Sequence, residues 1–153
     1  MLNVVMPTLA IMIGIQASGK SRFATTYLKE YTRINLDTLR TRNKEKLVFD
    51  DAIKNGESIV IDNTNPTRED RARYISAVSG HGYKVCGYFM QSKLHDCIER
   101  NEHRIGKEKI KSNAIAATSN KLEMPVYEEG FDSLYFVSFA DDKTEVQEWR
   151  TEK

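Results

Sequence analysis

Cysteine is scarce in this sequence: Cys86 and Cys97 are the two among 153 residues. Cys86 sits in an apolar, strand-like run and Cys97 on an expected helix. Two such thiols imply no disulfide framework and suit a reducing, cytoplasmic compartment. No apolar run approaches the length of a membrane span. Met1–Pro7 is too short and too weakly apolar for a signal peptide. Charge of one sign is not in excess either, since 23 Lys and Arg against 22 Asp and Glu leave a net charge of +1. That excludes a global electrostatic grip on nucleic acid, so any such contact must be local. Repeats, low-complexity tracts and linkers are missing too. What remains is 40% apolar and 29% charged residues, the composition of one soluble globular domain over residues 1–153.

The richest stretch is Gly14-Ile15-Gln16-Ala17-Ser18-Gly19-Lys20-Ser21, which fits the phosphate-binding pattern G-x-x-x-x-G-K-[ST]. The apolar run Thr8–Ile13 before it reads as a buried strand. Lys20–Glu30 after it reads as a helix, with Phe23, Tyr27 and Ala24 on one face. A turn between such a strand and helix points backbone N–H groups of Gly14, Gln16, Ala17, Ser18 and Gly19 at an anion, and the helix N-terminus adds partial positive charge. Lys20 can reach the outer phosphates of ATP, and the Ser21 hydroxyl can ligate Mg²⁺.

Downstream the chain alternates strand and helix. Strands are expected at Tyr31–Asn35, Ser58–Ile61, Tyr83–Met90 and Leu134–Phe139. A helix is expected at Lys44–Lys54 with Leu47, Val48, Ala52 and Ile53 inward. Another starts at Asn65-Pro66, with Asn as cap and Pro at the first helical position, and runs to about Gly80. Further helices are expected at Lys93–His103 and Ser112–Leu122, a loop at Pro125–Gly130 and a short helix at Lys143–Arg150. This alternation implies an α/β fold, a parallel sheet with helices on both faces.

Three constellations accompany the phosphate loop. Asp37 falls just past the second strand, on the rim where open α/β sheets bind ligands. It can accept the proton of an attacking hydroxyl, or it can simply cap the next helix. Arg40, one turn on, can face the same way and hold an acceptor phosphate, or be solvated. Asp62 ends the apolar run Ile59–Ile61, as a metal-linked carboxylate does, although a strand-end Asp can also satisfy loop N–H groups. In the basic segment, Arg100 and Arg104 share a helix face and Gly106 can act as a hinge. This reads as a helical lid over about 98–111, with a solvated charged helix as the plain alternative.

Together these residues resemble the 5′-hydroxyl polynucleotide kinase family, the P-loop kinase domains of phage and animal end-healing enzymes. The likeness reaches from about Thr8 to about Val137. It rests on Asn35-x-Asp37-Thr38-Leu39, on Ile61-Asp62-Asn63-Thr64-Asn65-Pro66 continuing into Arg71-Ala72-Arg73-Tyr74, and on Glu129-Gly130-Phe131. The resemblance implies a P-loop kinase fold with a five-stranded sheet of order 2-3-1-4-5. It implies Lys20 and Ser21 as the ATP and Mg²⁺ residues, Asp37 as general base, Arg40 on the acceptor, Asp62 as the strand-end carboxylate, and Arg100 and Arg104 as lid arginines. Leu36 stands where the family often has Arg, and no Asp-x-Asp-Gly phosphatase motif occurs in the chain.

The expectation is therefore a kinase that moves the γ-phosphate of ATP to a hydroxyl, preferably the 5′-OH end of a nucleic acid. Near-neutral charge and Leu36 leave a small metabolite or nucleoside open as acceptor. A non-catalytic nucleotide-binding module is the third reading, disfavoured because it needs no base at Asp37.

Overall fold

The computed structural model describes residues 6–106, 109–140 and 143–149. One six-stranded sheet carries the fold, with strand order β2-β3-β1-β4-β5-β6. The strands are β1 (Thr8–Ile13), β2 (Thr32–Ile34), β3 (Ile59–Ile61), β4 (Lys84–Met90), β5 (Ser133–Ala140) and β6 (Lys143–Glu148). The first five are parallel, in the expected order. The helices are α1 (Lys20–Tyr27), α2 (Leu36–Leu39), α3 (Arg42–Lys54), α4 (Arg68–Val78), α5 (Leu94–Glu102) and α6 (Ser112–Lys121). A 3₁₀ turn spans Tyr127–Glu129.

Alternation along β1 divides the core. Leu9, Ile11 and Ile13 pack with Phe49, Ala52, Tyr74 and Val78 of α3 and α4. Ala10 and Met12 pack with Phe23, Ala24 and Leu28 on and beside α1. Both faces of β1 are covered, so every residue from Leu9 to Ile13 is buried and the strand reads as one apolar run. Its carboxyl end opens between β3 and β4, where the sheet order changes direction; ligands of such sheets bind there.

Four expectations are corrected. The stretch expected as a helix at Lys143–Arg150 is β6, antiparallel to β5, so the sheet has a sixth strand; Arg150 lies outside the described residues. Val146 and Thr144 pair with Val137 and Phe139, and Trp149 packs its ring 5.3 Å from Phe89, which anchors the strand where local propensity did not specify it. The α4 cap is Thr67, not Asn65: Thr67 and Asp70 form a reciprocal capping box. Asn65 is engaged elsewhere, donating its side-chain amide to the Met12 carbonyl at 2.7 Å from a left-handed backbone (φ 46°). Leu47 is 63% exposed, because α3 turns Glu45, Phe49 and Ala52 inward. Tyr27 is 57% exposed at the last turn of α1.

No helix among the described residues is long and apolar enough to cross a membrane.

Candidate active site

The phosphate loop leaves β1 with the Gly14 N–H bonded to the Thr64 carbonyl at 3.0 Å. The Ile15 N–H then donates to the Ser92 hydroxyl at 3.2 Å, and that hydroxyl donates to the Met90 carbonyl. The loop is thus fixed to the ends of β3 and β4 at once. Two residues take left-handed backbone, Ala17 (φ 64°) and Gly19 (φ 95°), which turns successive N–H groups toward one concavity. A methyl at Gly14 would come within 2.7 Å of the Ser18 hydroxyl, and one at Gly19 within 2.6 Å of the Phe139 ring. Gly14 is therefore required by space, and Gly19 by space as well as by the turn. Ala17 pays for its strained backbone through its surroundings: it is buried with Ile15, Cys97 and Ile115, and Arg100 Nε donates to its carbonyl at 2.8 Å.

Lys20 begins α1 inside this cradle. Its Nζ donates to the Ile15 carbonyl at 2.7 Å and approaches the Ser18 hydroxyl at 3.5 Å. Burial pushes its pKa down from 10.5 to about 8, against the attraction of Asp62 and with the repulsion of Arg104; Asp37 also attracts it. The charges of three separated segments therefore act on Lys20. A buried cation with few fixed partners is poised to receive an anion, whose charge would restore its usual affinity for a proton.

Asp62 follows β3 and is 1% exposed. Its Oδ2 accepts from Arg33 Nε at 2.8 Å, and Arg33 Nη2 donates to Ser21 Oγ at 3.3 Å. Asp62 Oδ1 is buried and has no hydrogen-bond partner among the described residues. An orphaned carboxylate oxygen and a serine hydroxyl, joined by one guanidinium, form a hard-oxygen donor set that fits Mg²⁺.

Asp37 is exposed on α2, the four-residue helix that Asn35 caps by accepting from the Thr38 N–H at 3.1 Å. Asp37 is thus not the cap; Asn35 is. Arg40 ends the same helix and is exposed. The position of α2 is set by two side chains at the ends of β2 and β3. Asn35 Nδ2 donates to the Asp62 carbonyl at 2.7 Å, and Asn63 Oδ1 accepts from the Leu36 N–H at 2.9 Å. Asn63 Nδ2 in turn donates to Glu45 at 3.0 Å and to the Tyr74 hydroxyl at 3.2 Å, while that hydroxyl donates to Glu45. Arg42 closes the network on Glu45 at 3.0 Å. Glu45 is buried, and these partners supply the cation and donors that a buried carboxylate needs.

Behind this rim, Arg71 is fully buried. It pairs with Glu129 through two bonds of 2.8 and 3.1 Å and donates to the Asn65 and Glu123 carbonyls. It welds the turn after β3 to the segment before β5.

The two arginines expected on a lid make different contacts. Arg100 grips the Ala17 carbonyl and so shapes the loop itself. Arg104 is half-buried beyond the end of α5, and its charge is felt at Lys20. Asn101, fully buried, bonds both the N–H and the carbonyl of Ile110 and closes the base of the segment between them. The expected lid includes residues 107 and 108, which lie outside the described residues. A second tie runs from Gln16 to Thr118 of α6 at 3.0 Å.

A protein-family model described as AAA domain matches residues 44–126, more than half of the chain. The chain belongs to this AAA-domain family. It is also similar to polynucleotide phosphatase/kinases, the family that its motifs resemble. It is 30% identical over 147 residues to the bifunctional polynucleotide phosphatase/kinase of Schizosaccharomyces pombe, covering 92% of this chain and 36% of that protein. It is 31% identical over 142 residues to a putative bifunctional polynucleotide phosphatase/kinase of Acanthamoeba polyphaga mimivirus, covering 88% and 34%. The chain thus spans about a third of the length of these curated relatives. Among solved structures, Kti12 of Chaetomium thermophilum in complex with ADP-AlF3 superposes with a TM-score of 0.68 at 17% identity, over 88% of this chain and 91% of that one. That likeness shows the P-loop kinase fold. Membership of this family supports nucleotide binding.

Of the residues singled out from sequence, Gly14, Gln16, Ala17, Ser18, Gly19, Lys20 and Ser21 form the loop. Asp37, Asp62 and Arg104 are close enough to act on Lys20. Sequence reasoning missed Arg33, Glu45 and Ser92, and it quoted Asn35, Asn63 and Tyr74 within motifs without giving them a role. The available signal for Arg33 was strand alternation, which turns it away from Ile34 and toward α1.

Proposed function

We propose that this chain is an ATP- and Mg²⁺-dependent kinase that transfers the γ-phosphate to the 5′-hydroxyl end of a polynucleotide. The observation that carries this reading is the placement of an exposed carboxylate, Asp37, across from a buried phosphate-loop lysine whose charge it influences. A nucleotide-binding module without transfer has no use for that carboxylate. In this reading the backbone of the loop holds the phosphates and Lys20 neutralises the outer oxygens. Asp37 orients the acceptor hydroxyl and takes its proton as the new O–P bond forms. Arg104 adds charge as the bond to the leaving phosphate breaks. Ser21 and Asp62 would hold Mg²⁺, which supplies charge neutralisation at the phosphate oxygens when bound. Arg40 is assigned to the acceptor phosphate.

The names of the two curated relatives support the polynucleotide as acceptor. Leu36, half-buried beside Asp37, and the net charge of +1 favour a smaller hydroxyl acceptor instead. The test is transfer of labelled γ-phosphate from ATP to a 5′-OH oligonucleotide, beside a nucleoside and small-alcohol panel. Transfer to the oligonucleotide supports the first acceptor. Transfer only within the panel moves the assignment to a small substrate, and nucleotide binding without any transfer sinks the kinase reading.

A further inference from the structure

Arg33 has no part in the scheme above, and its geometry gives it one. It is the middle residue of the three-residue strand β2. Alternation buries Ile34 against the α3–α4 side and sends Arg33 to the opposite face, where α1 begins. There its guanidinium spans two side chains from different elements: Asp62 at 2.8 Å and Ser21 at 3.3 Å. These are the two side chains that would hold a cation beside the phosphate loop.

The two ends of that span differ. The Asp62 side chain is 0% exposed, and the Arg33 side chain is 34% exposed. A carboxylate so placed needs a cation, since burying it unpaired costs far more than a lost hydrogen bond. Arg33 meets the need from within the chain. The Ser21 bond is the longer one and lies at the surface, so it is the weaker tie. Asp62 Oδ1, buried and without a partner among the described residues, remains available as a ligand. A metal that takes Ser21 Oγ together with Asp62 Oδ1 must compete with the guanidinium at Ser21, and two cations at that spacing repel.

We propose that Arg33 is a resident counter-cation of the donor site. It occupies the Ser21–Asp62 pair in the absence of metal, and it has to release Ser21 before a metal is bound there. Arg33 thereby sets the metal concentration at which the site loads, and it supports nucleotide binding without metal by adding positive charge beside the cradle. This inference rests on the donor-site reading under Proposed function.

The test compares the full chain with Arg33→Gln and Arg33→Lys. Binding of ADP is measured with the metal chelated. Binding of Mn²⁺ to the ADP complex is then followed through loss of the free-ion EPR signal. Arg33→Gln is expected to bind Mn²⁺ about tenfold more tightly and metal-free ADP several-fold more weakly. Arg33→Lys keeps the charge but cannot span both partners, so it falls between the two. It also stands in if Arg33→Gln does not fold. Unchanged or weakened Mn²⁺ binding in a folded variant overturns the inference and leaves Arg33 as a buttress that orients Asp62. Failure of the wild type to bind ADP with or without Mn²⁺ overturns the donor-site reading itself, a separate result.

Discussion

Lys20 is a cation held where a cation is disfavoured, and this can be measured without any substrate. Replacing it by Met keeps an unbranched apolar stem and removes the charge. At 8% exposure, burial lowers the Lys20 pKa from 10.5 to about 8. Below the folded-state value, both the folded and unfolded states hold the proton, and the folded state bears the whole penalty, about 3 kcal/mol. Between about 8 and 10.5 the folded protein has released the proton while the unfolded chain keeps it, so this group's contribution to stability improves as pH rises. Above 10.5 both states are neutral and the penalty is gone. Lys20→Met has no such dependence. The handicap of the wild type relative to the variant should therefore shrink from about 3 kcal/mol near pH 7 to about 1.4 kcal/mol near pH 9.5.

The variant also loses the bonds to the Ile15 carbonyl and the Ser18 hydroxyl, on the order of 1–3 kcal/mol. A neutral amine makes these bonds too, so that loss does not vary with pH. The informative quantity is the change in the stability gap between the two pH values, about 2 kcal/mol. Urea denaturation of both proteins at each pH, with equal slopes, reads it directly. A gap that stays constant across this range would refute the reasoning, because it would mean that Lys20 is well solvated in the folded protein. The variant should also be inert in phosphoryl transfer, since stability gained by removing a functional charge is lost as activity.

The same property predicts that wild-type affinity for ATP weakens above about pH 8, approaching tenfold per pH unit, because phosphates bind the protonated lysine; titration calorimetry along a pH series checks it. Asp37→Asn should lower kcat by about 10²-fold or more with ATP affinity nearly unchanged, and collapse of ATP binding with kcat intact would put Asp37 on the donor side. Arg104→Ala should reduce kcat more than it raises the KM for ATP, with Arg104→Lys restoring only part; a kinetically silent Arg104→Ala would leave this stretch a solvated helix end. Asn63→Ala should free the Leu36 N–H and leave Glu45 short of a donor, costing about 1–3 kcal/mol in stability and lowering kcat while ATP affinity holds. Equal losses in ATP affinity and kcat would instead mean that Asn63 supports the whole site.

Much of the fold was legible because its signals are local. Leu9–Ile13 reads as a doubly covered strand from its unbroken apolar run. The phosphate loop reads from two glycines whose missing side chains are required by Ser18 and Phe139. The β6 strand was not legible, since Lys143–Glu148 carries no strong local preference and is held by its register on β5 and by Trp149. The inward face of α3 misled for a related reason. Its buried positions include Glu45, a residue whose type announces solvent, and the apolar Leu47 points outward.

The least legible part of the site is the set of asparagines around Asp37 and Asp62. In the sequence, Asn35 closes an expected strand, Asn63 stands within a motif, and Asn65 reads as a helix cap. In the fold each amide spans a gap between two strands or between a strand and a helix. Asn35 reaches from β2 to the Asp62 carbonyl, Asn63 from the end of β3 to α2, and Asn65 back to Met12 of β1. An amide suits these positions because it donates and accepts at once and brings no charge of its own into a site already crowded with Lys20, Asp62, Arg33 and Arg104. Aspartate in place of Asn63 would keep the acceptor for Leu36 but lose the donor to Glu45 and set two carboxylates face to face. The geometry of the acceptor rim thus depends on neutral residues whose importance appears only after the strands are side by side.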